Sequence, residues 1–217
     1  MGKVLGKRRR YFILGGIAGP VVFALLIIAA DLLHPEFDFT AQAVSQLGGQ
    51  DARYGWVFNT GAITYGLLLI ALAWGLGAAI GDGRKMLLLA GPLAIYGMAT
   101  MLVGVLEANP GLSYAPPNLR DMVHDSSARA ALAAAGMAML MARYTMGGHF
   151  KFGWFSRCAF AAATTFGLFY LLNIKHEWNG LWERLFVAVL LLWVEVLSIF
   201  LWILAERRAR QPPYNGA

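Results

Sequence analysis

A scattered set of polar side chains is the part of this sequence that could do chemistry: Asp31, His34, Asp38, Ser45, Asn59, Glu107, His124, Asp125, Arg129, His176, Glu183 and Arg184. Histidine beside carboxylate can hold a metal that lowers the pKa of bound water, or can act directly as acid and base. His34 and His124 would then supply two ligands or bases. Asp31, Asp38 or Asp125 would be the third group, and Ser45 a weak nucleophile. The pattern is thin for an enzyme, because the chain has no HExxH pair, no GxSxG elbow and no two histidines at i,i+4. The sequence leaves metal and cofactor unnamed.

Two other accounts compete. In a binding or transport site, Asp31, Ser45, Asn59, Glu183 and Arg184 would hold a lipid headgroup or small solute, with Arg129 against an anionic group. In a purely structural account the same groups cap helix ends and pair with one another. Asp125 and Arg129 have the i,i+4 spacing of an ion pair, and Glu183 could meet Arg184 or Arg120. Helix ends at a membrane interface are where such residues are ordinarily found. Arg129, one turn beyond Asp125, is expected to pair with Asp125 and also with Glu183.

The elements that must position these groups are apolar. Of 217 residues, 59% are hydrophobic and 14% charged, against about 45–50% and about 25% in a soluble domain. Six runs, roughly Tyr11–Leu33, Trp56–Ile80, Met86–Leu106, Ser126–Tyr144, Trp154–Ile174 and Leu181–Ala205, approach the ~20 residues a helix needs to cross a bilayer. Their connections use almost all the remaining chain. The expectation is an all-α, polytopic integral membrane six-helix bundle forming one domain over residues 1–217.

The formal charge of +6 is a topology signal. Basic residues gather at Lys3, Lys7 and Arg8–Arg10, at Arg84 and Lys85, at Arg143, Lys151 and Arg157, and at Arg207, Arg208 and Arg210. With six spans these four clusters share one side, which the positive-inside rule makes cytoplasmic. Residues 1–10 and the Pro-containing tail 211–217, expected to be disordered, lie there. Acidic residues favour the other loops, so the polar set belongs to the outer face of the cell membrane. Lipids are the expected partners and nucleic acid is not. Lys7–Arg10 before an apolar run resembles a signal peptide, but the run exceeds an h-region of ~7–15 residues and reads as a retained span.

The outer connection Pro35–Gly55 carries Phe37, Phe39, Val44 and Leu47 in a polar segment, the mark of a short interfacial hook. The second, Glu107–Asp125, has turn signals at Asn109-Pro110-Gly111 and Pro116-Pro117. Short loops at Gly81–Lys85 and Lys175–Gly180 predict helical hairpins. Small residues at helical spacing, such as Gly15 and Gly19 or Ala131 and Ala135, suit close packing. Pro20 and Pro92 fall within spans, and Trp56, Trp154, Trp178, Trp182 and Trp202 near span ends. Cys158 is the single cysteine, so no intrachain disulfide forms. His149 reads as incidental in a solvated loop. Glu195 lies deep in the sixth span and is expected to be neutral and hydrogen-bonded.

Several short segments occur in a telling order: Ala43-Val44-Ser45-Gln46-Leu47-Gly48 after the first span, Phe58-Asn59 and Tyr65-Gly66 in the second, Val103–Pro110 ending the third, His124-Asp125 in the fourth and Glu183-Arg184 in the sixth. Over nearly the whole chain this resembles the six-span membrane family called domain of unknown function 998. Glu107-Ala108-Asn109-Pro110 departs from the family's aromatic-proline and acidic pattern. The resemblance implies the architecture and a common location for the polar residues, and it supplies no activity. A lipid-directed hydrolase using His/Asp chemistry and a lipid or small-solute binding or transport protein are the two functional expectations. For a transporter the chain is short and shows no inverted repeat, a lack that self-association into a homo-oligomer would offset.

Overall fold

The computed structural model describes residues 8–81, 83–107, 119–146 and 150–210. Lys3, Lys7, the turns at Asn109-Pro110-Gly111 and Pro116-Pro117, His149 and the tail 211–217 lie outside the described residues. Among the described residues six long helices make up the fold: α1 (Ile13–Leu33), α2 (Gly55–Ile80), α3 (Arg84–Val105), α4 (Leu119–Thr145), α5 (Phe150–Leu171) and α6 (Asn179–Arg210). Short 3₁₀ turns occur at Arg10–Phe12, Val44–Gly48 and His176–Trp178.

These segments are helical because their backbone polar groups must be satisfied within the segment once water is absent. Pro20 and Pro92 stay inside α1 and α3. Four segments, Arg10–Leu33, Gly55–Ile80, Arg84–Val105 and His176–Arg210, are long and apolar enough to cross a membrane. α4 and α5 are not among them. α4 begins seven residues before the expected Ser126, so its first turns carry Arg120, Asp121, His124, Asp125 and Arg129. The architecture is a helical membrane bundle.

Packing is uneven. α2 and α3 form the tightest pair, with α1 against α2 and α4 against α3. The contact is backbone to backbone where Gly66 meets Gly97, since a Cβ on Gly97 would stand 2.6 Å from the Gly66 carbonyl oxygen and one on Gly66 would overlap that of Gly97. α6 returns to pack on α1, α2 and α5. α4 and α6 barely meet, and α4 touches α5 sparsely. One buried relay clips all three: Trp193 Nε1–H donates to Ser156 Oγ at 2.7 Å, and Ser156 donates to the Met139 carbonyl at 3.1 Å.

The basic clusters collect at one end of the bundle. Arg10 pairs with Glu206 at 2.8 Å, Arg9 lies over Trp74, and Arg208 lies against Gly81 in the turn after α2. At the opposite end the connection between α1 and α2 folds down onto the start of α6. Leu181 N–H donates to the Thr40 carbonyl at 2.9 Å. Gly180 has no room for a side chain, because a Cβ there would overlap the Gln42 carbonyl. The expected interfacial hook is thus a lid segment seated on the bundle.

Candidate functional site

The seat of that connection is built from charged groups. Arg184, in the first turns of α6, pairs with Asp31 near the end of α1 at 2.7 Å. It also donates to the carbonyls of Gln42 at 2.9 Å and Gly180 at 3.3 Å. The Phe37 and Phe39 rings lie 5.7 and 5.9 Å from the guanidinium. Next to it, Glu183 accepts the Val44 N–H at 2.5 Å. The Glu183–Arg184 dipeptide therefore holds the connection between α1 and α2, and the end of α1, to the start of α6. Of the two partners expected for Glu183 by charge, Arg120 instead meets Glu107 at 2.9 Å and Arg184 meets Asp31.

His34 and Asn59 sit in the same scaffold. His34 is buried, with Nδ1 2.9 Å from the Ala30 carbonyl and Nε2 accepting the Tyr54 N–H at 3.4 Å. This arrangement fixes the Nδ1–H tautomer and occupies both ring nitrogens. The ring packs edge-on against Tyr54. Asn59 donates to the Gly48 carbonyl at 3.1 Å, while its Oδ1 is buried without a partner among the described residues. Asp38 is exposed and closes a turn, accepting the Thr40 hydroxyl at 2.5 Å, the Thr40 N–H at 2.9 Å and the Ala41 N–H at 3.3 Å. Those donors, the Thr40 side chain first, hold its carboxyl below the usual carboxylate range.

A cavity of about 150 Å³ opens where α4 and α6 fail to meet. Its polar wall is Ser45, His124, Asp125 and Glu183, joined by Tyr96, Thr100 and Tyr170. The rest is apolar, with Phe23, Phe58, Leu132, Phe186 and Leu190 among the lining side chains. His124 is buried and hydrogen-bonds through Nδ1 to the Leu106 carbonyl. A carbonyl can only accept, so Nδ1 carries the proton of this bond. Asp125 is mostly exposed and lies 3.9 Å from Arg129, itself 74% exposed. Among the described residues no carboxylate other than Asp125 pairs with Arg129, so the expected contact with Glu183 is not made. No lysine or arginine lines the cavity among those residues.

The structure thus gathers Ser45, His124, Asp125 and Glu183, and sends the other candidates elsewhere. Asp31, Arg184, His34 and Asn59 brace the lid segment, Asp38 shapes its turn, and Arg129 faces out. Among the described residues no three His, Cys, Asp or Glu side chains come close enough to hold a metal ion. The zinc site considered from His34 and His124 is therefore not assembled, and both nitrogens of His34 are already engaged. Tyr96, Thr100 and Tyr170 were missed in the sequence. The available signal was a polar pair, Tyr96 and Thr100, four apart on one helix face; Thr100 hydrogen-bonds back to the Tyr96 carbonyl and Tyr96 meets Tyr65 hydroxyl to hydroxyl at 3.3 Å. Glu195 differs from expectation too: its Oε2 is buried with no hydrogen-bond partner among the described residues.

A family model described as "Protein of unknown function (DUF998)" matches residues 17–199. No curated protein and no solved structure matches the chain.

Proposed function

The chain belongs to the DUF998 family, and from that starting point we propose that it is a six-span protein of the cell membrane, basic end in the cytoplasm, that binds a membrane amphiphile in the cavity at its outer end. One observation carries the reading. The cavity has a polar wall with two carboxylates, a histidine and hydroxyls, an apolar remainder, and no basic side chain among the described residues. An anionic head would face like charge there, which costs several kcal/mol. A head bearing an amine or hydroxyl finds acceptors at Glu183, Asp125 and His124 Nε2. Few polar groups in a mostly apolar pocket is the usual composition of a small-molecule site.

Helix length supports six spans in this reading. At 1.5 Å per residue, α4 and α5 extend roughly 40 and 33 Å, enough for a core of ~30 Å. Their lower hydropathy is what helices lining a polar cavity would carry. The orientation rests on the positive-inside rule and on Arg10, Glu206 and Arg208 sharing one end.

A second reading, acid–base hydrolysis of the bound amphiphile, is favoured by one detail. His124 directs its protonated nitrogen to the Leu106 carbonyl, which leaves Nε2 as a base beside Ser45 and Asp125. His34 and Asp38 do not line the cavity and would take no part.

Thermal unfolding of the protein in phosphatidylcholine nanodiscs tests both. A long-chain primary amine or alcohol should stabilise it saturably, and the sulfate of the same chain length should not. Glu183→Gln, which keeps an acceptor for Val44, should remove the preference for the amine. Equal or better stabilisation by the sulfate would sink the reading. If a long-chain ester is hydrolysed by the wild type and not by His124→Gln, with binding unchanged, the enzymatic reading prevails.

A further inference from the structure

A second depression lies beside the cavity. It is an apolar groove of about 360 Å³ between α4 and α5, backed by α6. Three side chains, Leu132, Phe186 and Leu190, line both the groove and the cavity. They form a partition of movable side chains, not of backbone. The groove's outer rim is set by Met137, Leu140 and Leu168, all exposed and apolar, on the face that a bundle in a bilayer turns to lipid.

Two glycines in this groove are unlike those at the tight helix contacts, where a side chain has no room. At Gly16, Gly66 and Gly97 an added Cβ would run into side chains or backbone of a facing helix, so close packing requires the glycine. At Gly136 on α4 the nearest atom to an added Cβ is Phe160 Cε2, at 3.4 Å. At Gly167 on α5 it is Phe186 Cδ2, also at 3.4 Å. Those are ordinary van der Waals contacts. Neither glycine is demanded by packing, and each lowers helix propensity relative to alanine. Their physical effect is width: they keep a channel open where α4 and α5 touch sparsely.

We infer that the groove is a lateral entrance, occupied by the hydrocarbon chain of a bilayer amphiphile, and that the chain reaches the cavity by displacing the partition of Leu132, Phe186 and Leu190. This inference rests on the amphiphile-binding reading above and specifies its route. The groove adjoins the cavity directly, and the cavity's polar wall lies at one end while the groove leads away along the apolar stretches of α4 and α5. A ligand with a polar head and a hydrocarbon chain fits that sequence of surfaces. The movement needed is a change of side-chain rotamers, which occurs on a far faster timescale than helix displacement.

The experiment uses the full chain in phosphatidylcholine nanodiscs and a long-chain primary amine with a diazirine at the far end of its chain. After photolysis, labelled peptides are identified by mass spectrometry, and amine uptake is followed by stopped flow. The expected labels fall on Met137, Leu140 or Leu168. Gly136→Leu, which fills the groove against Phe160 and leaves the cavity wall untouched, and Gly167→Leu, which also crowds Phe186, should each abolish those labels and slow uptake at least tenfold. Gly136→Ala, the conservative control for folding, should retain both. Saturable binding with labels elsewhere and unchanged uptake in both leucine variants would overturn the lateral route and leave the cavity reading standing. Absence of any saturable amine binding in the wild type would overturn both. Chain-to-chain crosslinks from photoreactive groups at Met137 and Leu168, with no amine label, would assign the groove to a second copy of the protein and overturn the inference.

Discussion

Arg184 and Asp31 stand 2.7 Å apart although 153 residues separate them in the chain. The pair joins the end of α1 to the start of α6, and both side chains are largely shielded from solvent. Breaking a shielded pair strands the surviving charge. Arg184→Leu should therefore lower the unfolding free energy by about 2–3 kcal/mol, and Asp31→Asn by less, because Arg184 keeps its carbonyl partners. Thermal unfolding of both variants and the double variant in detergent measures this. Additive losses would argue that the two residues act independently.

The two classes of glycine make opposite predictions. Gly66→Ala should destabilise by about 1–3 kcal/mol, since the new methyl overlaps the Gly97 carbonyl and the helices must separate. Gly136→Ala should be neutral or stabilising by up to about 1 kcal/mol, through helix propensity alone. A parallel melt of the two variants decides it. Equal losses would mean that α4 and α5 pack more tightly than described.

Ser156→Ala should cost about 1–3 kcal/mol, because it leaves the buried Trp193 indole N–H without its acceptor. A fall in melting temperature together with a shift in tryptophan emission is expected. Ser156→Thr retains the hydroxyl and should recover most of the loss if its methyl is accommodated.

Arg129→Leu should change stability by no more than about 0.5 kcal/mol, given its exposure and its long contact with Asp125. A large loss in detergent would restore the buried pairing with Glu183 that the charge pattern first suggested.

Asp38 predicts a pH dependence of definite sign. Its carboxyl is held below the ordinary value, so its hydrogen bonds stabilise the fold above the unfolded-state pKa of about 3.9. That contribution is lost as pH falls through the still lower folded-state value. Asp38→Ala should thus be less stable than wild type at pH 7, and the difference should shrink as pH falls below the unfolded-state value. A difference that does not shrink on acidification would show that the turn does not depend on the carboxylate.

The helices were legible because apolar runs report burial in a bilayer directly. α2 and α3 emerged within one or two residues of the runs that predicted them. α4 was cut short because its first turns are charged, and charge obscures an apolar run without preventing a helix. The direction of the polar residues around each helix axis was not legible. Asp31 and Glu183 both brace the lid segment, yet only Glu183 also lines the cavity. His34 and His124 look equivalent in the sequence, but among the described residues the backbone gives His34 two partners and His124 one. The pairing of Arg184 with Asp31 needed knowledge of which helices are neighbours. That depends on small-residue contacts such as Gly16 against Ser198, whose spacing resembles many that carry no contact.

The return of α6 to α1 has a consequence for synthesis. The most distant parts of the sequence meet only when the final helix has been made, so closure of the bundle comes late and carries a high loop-closure cost. Until then Asp31 lacks its arginine, Arg10 lacks Glu206, and the Val44 N–H lacks the Glu183 carboxylate. Until α6 arrives, the chain therefore holds these groups without their partners at both ends of the bundle.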